Sequence, residues 1–280
     1  MEETLADCPA AATTWVARQC MSVDTCVAIA TLASLRDEQL RRQLEPGQGA
    51  VHLRLYALLR SEQRLAVSAA TDGHLAEVPA ILTQAQSAFR DLEALLIGRD
   101  DALLDAVKDG DWSLRDLLRH LIATELRYAE QVMYSAERGD TDPIRIPEER
   151  LPCDRLAPPE NEFGSTTSGG LSVILALFET ARARSDERLS RLSRHVLDRP
   201  SDWGSLRVDV RTRLHQIAAH IVEGTIQTEK ILGPAEKFME ARAIVRRIWR
   251  ARGLHEHSSP AGAVAELDAE IIALATKAVG

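Results

Sequence analysis

The apolar residues of this chain recur every three or four positions, which is the spacing of one face of an α-helix. Leu, Ala, Arg and Glu dominate, and stretches of alternating β-branched residues are absent. The pattern therefore predicts an all-α protein, with helices at about 9–18, 22–43, 50–70, 77–107, 113–138, 168–197, 208–231, 234–251 and 260–278.

Local signals mark where some of these helices begin and end. Ser113 precedes an apolar run and is followed three residues later by Asp116, an arrangement that resembles a capping box. Pro234 follows Gly233, so one helix ends there and the next begins. The segment 139–168 is rich in proline, which predicts a long irregular connection. Such a connection allows a crossover between helices that are not antiparallel neighbours.

Composition narrows the range of functions. The net charge is −8, which argues against a nucleic-acid-binding protein, and the basic run at 242–252 is interpreted as a solvated helix face. The first residues lack a signal peptide, and no apolar run is long enough for a membrane span, so we expect a cytosolic protein. The four cysteines form no CxxC pair and are interpreted as small core residues, with a Cys20–Cys26 disulfide as the alternative.

A shift of 63 residues aligns 36–66 with 99–129, and the identities include Glu62 with Glu125. Each unit has a helix end, a glycine-containing turn and a second helix. The alignment indicates either a degenerate duplication or a chance similarity between leucine- and arginine-rich hairpins. In the first unit, Ala57 stands where the second unit has His120.

Two histidines stand in the motif RLHQIAAHIVEG at 213–224. His215 and His220 are five residues apart, so they point about 140° from each other on a helix and cannot easily bind one ion together. His215 is therefore expected at the surface. His120 lies near the edge of an apolar stripe, where a partly buried, hydrogen-bonded histidine is the alternative to a metal ligand. Glu125 is expected to pair on the surface with Arg127 or Arg119.

Two stretches, WSLRDLLRHLIATELRYAEQV and VRTRLHQIAAHIVEGTIQTEKIL, together resemble the DinB/YfiT-like superfamily. The resemblance covers about 78–233 and implies a bacterial protein with an up-up-down-down four-helix bundle at 76–233. Residues 1–75 would then be an N-terminal helical region that includes the first repeat unit, and 234–280 a C-terminal helical extension.

The resemblance also implies a divalent metal, zinc or nickel, held by three residues. His120 matches the ligand of the second bundle helix, and His220 matches one of the two ligands of the fourth. The second ligand of that helix would stand at 224 or 216, where this chain has Gly224 and Gln216. Glu223 is the candidate third ligand, with Glu160 or Glu162 of the long loop as alternatives.

Two functions follow from this resemblance. The chain is either a binding or assembly module whose metal site is degenerate, or a metal- and thiol-dependent transferase or hydrolase in which the cation activates a thiolate. In the second case Glu223 would act as third ligand or base. We expect neither nucleic acid nor membrane among its partners. A homodimer is allowed, and the sequence identifies no small-molecule ligand.

Overall fold

The computed structural model describes residues 22–46, 48–72, 76–105, 107, 112–159, 167–233 and 239–280. The α-helices in these ranges are α1 (Val23–Ala33), α2 (Asp37–Arg41), α3 (Val51–Asp72), α4 (Glu77–Leu96), α5 (Leu114–Glu137), α6 (Leu171–Leu189), α7 (Val210–Leu232), α8 (Glu240–Gly253) and α9 (Ala261–Val279). Short 3-10 helices are at Asp101–Asp105, Glu148–Arg150 and Arg194–Val196. The strands are β1 (Pro200–Trp203) and β2 (Leu206–Asp209), which form one antiparallel hairpin. The all-α prediction is confirmed, and the helix predicted at 9–18 lies outside the described residues.

The four-helix bundle consists of α4, α5, α6 and α7, with α4 and α5 each packed against both α6 and α7. Ion pairs fix the relative direction of α5 and α6. Arg182 pairs with Glu125, and Arg188 pairs with Glu130 further along both helices. The two helices are therefore parallel neighbours, and the connection between them must travel the length of the bundle.

The helices α4 and α7 are also parallel. Near their starts, Glu77 of α4 pairs with Arg211 of α7. Near their ends, Asp91 of α4 and Glu229 of α7 both pair with Arg246 of α8. Because residue numbers increase together along both helices, α4 and α7 run in the same direction.

By contrast, α7 runs antiparallel to α5. Gly224 of α7 faces Leu121 of α5, whereas the earlier Arg213 donates to Gln131, which is later in α5. The order along the chain is therefore up, down, down, up, and the predicted up-up-down-down order is wrong. That order needs two long crossovers. Here the β1–β2 hairpin returns the chain antiparallel between α6 and α7, and 138–170 connects the parallel neighbours α5 and α6.

This crossover is anchored at both ends, and its described residues, 138–159 and 167–170, contain no α-helix, as predicted for the irregular segment 139–168. Near the start of α6, the Arg115 guanidinium donates to the carbonyls of Thr167 and Gly169 at 3.0 and 2.8 Å. Near the end of α5, the Tyr134 hydroxyl donates to the carbonyl of Pro143 at 2.6 Å. Between these anchors, the carbonyl of Arg155 contacts His120 of α5, one of the two histidines described below.

Several predicted helices are shorter in the structure. The helix predicted at 22–43 is two helices separated at 34–36, and the one predicted at 77–107 ends at Leu96. Gly98 then adopts a φ of 72°, where a side chain would be strained. A Cβ at this position would lie 3.0 Å from the Cβ of Ala30, so the chain turns where α4 passes α1.

A second hydrophobic core lies beside the bundle, formed by α1, α2, α3, α8 and α9 with Ala94 of α4. Trp249 of α8 is fully buried there, and its indole N–H donates to the Glu93 carboxylate at 2.7 Å. The N-terminal and C-terminal helices therefore share one core. The division into 1–75, 76–233 and 234–280 stays a prediction.

Charged residues cross this second core, contrary to the interpretation of 242–252 as a solvated face. Arg252 is 1% exposed and pairs with the buried Glu62 at 2.8 Å. His255 is also buried and contacts the same carboxylate at 2.6 Å. Periodicity alone could not find these pairs because the partners are about 190 residues apart in the chain.

The two glutamates that the proposed repeat aligns have similar surroundings. Glu62 and Glu125 are both buried, and each forms an ion pair with a buried arginine, Arg252 and Arg182 respectively. Whether the two units arose by duplication stays a prediction. No helix in the described part of the chain is long and apolar enough to cross a membrane.

The described cysteines, Cys26 and Cys153, are free thiols that are partly buried. Burial raises the pKa of the Cys26 thiol to about 12 and that of Cys153 to about 11. Neither thiol is therefore activated as a nucleophile. Cys20, its alternative disulfide partner in the sequence, lies outside the described residues.

Candidate histidine site

His120 is positioned by the first two turns of α5. The helix begins where Ser113 accepts a hydrogen bond from the backbone N–H of Asp116 at 3.1 Å, as the sequence predicted. His120 is half-buried, and its Nδ1 contacts the carbonyl of Arg155 in the crossover at 2.6 Å. Since a carbonyl only accepts, Nδ1 donates this bond and Nε2 is left as an acceptor. The Trp112 ring meets the imidazole edge to face, with centroids 4.7 Å apart.

His220 of α7 faces His120 across the α5–α7 contact. The two ring centroids are 5.1 Å apart, and Tyr128 of α5 lies 5.6 Å from the His220 ring. Nδ1 of His220 contacts the Glu223 carboxylate at 3.3 Å. Its Nε2 is buried and has no hydrogen-bond partner among the described residues.

The surroundings of His220 favour its neutral form. Burial lowers the pKa of the imidazole, and the positive charge that His120 can carry lowers it further. The Glu223 carboxylate acts in the opposite direction, but the resulting pKa is below the ordinary value. His220 is therefore neutral near neutral pH, the form in which a histidine binds a metal or accepts a hydrogen bond, and no described side chain occupies its Nε2.

Glu223 does not complete a three-residue metal site. Its side chain is 62% exposed, and it contacts Nδ1 of His220, whereas the unpartnered nitrogen is Nε2. Among the described residues, no group of three His, Cys, Asp or Glu side chains could hold a metal ion. Glu160 and Glu162 lie outside the described residues. The donors that the structure brings together are two imidazoles, which do not fit the three-ligand centre implied by the resemblance.

The residues at the two expected ligand positions have separate roles. A Cβ on Gly224 would lie 2.7 and 2.8 Å from the two methyl carbons of Leu121, so glycine allows α5 and α7 to approach closely. Gln216 lies one helical turn before His220 and lines a cavity on the other side of the histidines. Neither residue contributes a strong metal ligand.

Two cavities meet at the histidine pair. One has a volume of about 420 Å³ and is bordered by Trp112, Gly224 and Lys230. The other has a volume of about 530 Å³ and extends beneath the crossover toward the β1–β2 hairpin. His120, His220 and Glu223 line both cavities, so the predicted site residues come together at a surface that a small molecule can reach.

A buried arginine in the larger cavity was missed by the sequence analysis. Arg213 is 1% exposed, donates from Nη2 to the Gln131 side-chain oxygen and stacks on Tyr128 at 4.6 Å. Its Nε and Nη1 have no hydrogen-bond partner among the described residues. Arg213 precedes His220 by seven residues, or two helical turns, so helical spacing could have placed both on one face.

Other histidine and glutamate predictions had mixed outcomes. His215 is exposed, as expected. Glu125 was expected to pair on the surface, but it is 3% exposed and pairs with Arg182 of α6 at 2.6 Å. That surface-pair prediction is therefore wrong, because α6 covers the face of α5 on which Glu125 lies.

The comparisons with known proteins agree with the four-helix part of the fold. The model of the DinB superfamily matches residues 82–223, which include all of α5 and α6 and both histidines. No curated protein and no solved structure matches the chain. Because the family model covers half of the chain, the protein belongs to the DinB superfamily.

Proposed function

We propose that this protein is a binding or assembly module in which the superfamily's metal centre is degenerate. The observation that supports this is the hydrogen bond from His220 Nδ1 to Glu223. It engages the carboxylate at the ring nitrogen other than Nε2, and no group of three His, Cys, Asp or Glu side chains among the described residues could hold a metal. Two protein ligands hold a divalent ion much more weakly than three, because the remaining positions fall to water. The cavities beside His120 and His220 would then serve for ligand binding without metal chemistry.

Metal content of the purified protein, prepared without a histidine tag, tests this proposal. We expect less than one zinc or nickel per chain and a Tm that chelation leaves unchanged. His215→Ala is the matched control for His120→Ala, since His215 is an exposed histidine of the same chain. Stoichiometric metal that His120→Ala removes and His215→Ala retains would contradict the proposal.

A divalent-metal- and thiol-cofactor-dependent transferase or hydrolase is the second candidate. It is favoured by His220 Nε2, a buried acceptor that has no hydrogen-bond partner in the described ranges and lies beside a second imidazole. A buried polar atom of this kind is costly unless something binds it. Stoichiometric metal, together with metal-dependent consumption of a low-molecular-weight thiol, would select this function over the binding module.

An added ligand tests whether 224 is the vacated position. Gly224→His alone would place its Cβ against Leu121, so we pair it with Leu121→Ala. The double variant should bind zinc at least tenfold more tightly than the parent protein, because a third imidazole joins His120 and His220. Leu121→Ala alone is the control and should show no gain. An equal affinity in all three proteins would mean that 224 does not face the metal.

A further inference from the structure

We propose that the 530 Å³ cavity binds a small organic anion whose oxyanion head pairs with Arg213. This inference rests on the proposed function, because it names the ligand class of the same cavity. The head would replace the Gln131 side-chain oxygen as the acceptor of the Arg213 Nη2 proton. The rest of the ligand would lie along the apolar wall of the cavity, toward the histidines.

The charge of Arg213 has no carboxylate partner in the described part of the chain. Its neighbours are the neutral Gln131 amide and Tyr128. Burial lowers the pKa of the guanidinium, and the contact with Tyr128 offsets this lowering only in part. Arg182, equally buried in the same bundle, is instead held by two carboxylates at 2.6 Å. An arginine that is buried without a countercharge is costly, and an anionic ligand would remove that cost.

The other charges on this wall are already partnered or exposed. Arg127 pairs with Glu148 at 3.1 Å and also donates to the carbonyl of Cys153. Asp202 pairs with Arg207 at 2.7 Å. Neither of these two carboxylates, nor Glu223 beside His220, forms an ion pair with Arg213. Arg155 lines the same cavity from an exposed position and adds positive charge at its edge.

The shape of the cavity indicates an organic body behind the charged head. Its volume is within the range of roughly 300–1,000 Å³ that is usual for small-molecule sites. Ile144 and Ile146 of the crossover, Tyr128 of α5 and Trp203 of the hairpin supply apolar and aromatic surface. An inorganic anion would leave this surface without a partner. A guanidinium accepts carboxylate and phosphate heads alike, so both remain within the proposal.

Calorimetric titration tests the proposal with benzoate, phenylacetate and phenyl phosphate as organic anions, inorganic phosphate as a head without a body, and benzyl alcohol as a neutral body. Saturable binding of at least one organic anion is expected, at least tenfold tighter than that of inorganic phosphate or benzyl alcohol. Carboxylate and phosphate heads are distinguished by which probe binds more tightly. If no organic anion binds, or if benzyl alcohol binds as tightly, the proposal is overturned.

Variants of the two residues at the head position make the test specific. Arg213→Met should weaken the best organic anion at least tenfold. Arg213→Lys, which keeps the charge, should retain part of the affinity. Gln131→Glu would supply a carboxylate from within the chain, so it should abolish anion binding while raising the Tm of the unliganded protein. Arg191→Met removes one exposed positive charge that does not line the cavity, and it should leave the affinity within about twofold.

The outcomes separate this inference from the proposed function. Anion binding that is unchanged in both Arg213→Met and Gln131→Glu would overturn the role of Arg213, whatever the metal content. Conversely, if the protein binds stoichiometric metal and His120→Ala removes it, the proposed binding module is contradicted. The Arg213 and Gln131 variants would still show whether the cavity binds an organic anion through Arg213. If Arg213→Met fails to fold, Gln131→Glu still tests the same contact.

Discussion

Asp186 of α6 gives the sharpest test of the electrostatics inside the bundle. Its carboxylate and that of Glu125 share one guanidinium, Arg182, at 2.6 Å each, and all three side chains are at most 2% exposed. One positive charge cannot compensate two buried negative charges. Burial therefore raises the pKa of Asp186 from 3.8 to about 7, against the lowering by Arg182 and with a further rise from Glu125.

The sign of the resulting pH dependence follows from proton uptake. Between the ordinary pKa of 3.8 and the folded pKa of about 7, the folded chain holds a proton on Asp186 that the unfolded chain has lost. The contribution of this group is therefore most favourable at acidic pH and is lost as the pH rises toward 7 and above. Between pH 5 and pH 8 the loss is on the order of 3 kcal/mol, at ~1.36 kcal/mol per pKa unit.

Asp186→Asn removes this titration and keeps an oxygen that can accept from Arg182. The free energy of unfolding of the variant, relative to the parent, should rise by about 3 kcal/mol from pH 5 to pH 8 in urea titrations. Glu187→Gln is the matched control, since Glu187 is the exposed neighbour in the same helix, and its difference from the parent should be flat. A flat or falling difference for Asp186→Asn would refute the assignment of the buried proton to this group.

Three further predictions concern glycines and a helix cap. Gly224→Ala should destabilise the fold by about 1 kcal/mol, because contact with Leu121 outweighs the gain in helix propensity, and Leu121→Ala should reduce that cost in a double-mutant cycle. Gly253→Ala should cost more than about 3 kcal/mol in urea unfolding, since its Cβ would lie 2.6 Å from the Cα of Ser87, which is backbone and cannot rotate away. Ser113→Ala should destabilise the fold by about 1 kcal/mol, because α5 loses its N-terminal cap. If these variants have the same urea midpoint as the parent protein, the packing and capping arguments are contradicted.

Local patterns predicted the helices of the bundle better than their ends or directions. The Ser113 cap and the apolar stripe around His120 depend on residues within a few turns, so the sequence contains them directly. The end of α4 near Gly98 depends on Ala30, about 70 residues earlier, and no local signal reports that contact. The hairpin at 200–209 was absent from the prediction because its two strands have only four residues each.

The difference between local and long-range contacts also explains which site residues could be predicted from the sequence and which could not. His120 and His220 were predicted as a pair through family resemblance, and their rings lie 5.1 Å apart. Arg213 stands out because it has no carboxylate partner among the described residues. The absence of a countercharge can be recognised only when the positions of all neighbouring helices and loops are known. Arg211 and Arg213 lie in the same helix, and the sequence alone gives no reason to expect different roles for them. The structure separates them, because Arg211 has Glu77 as a carboxylate partner, whereas the acceptor that faces Arg213 is a neutral amide. A site residue that is identified by its unpaired charge or unfilled hydrogen bonds is therefore the kind that is hardest to predict from a single sequence.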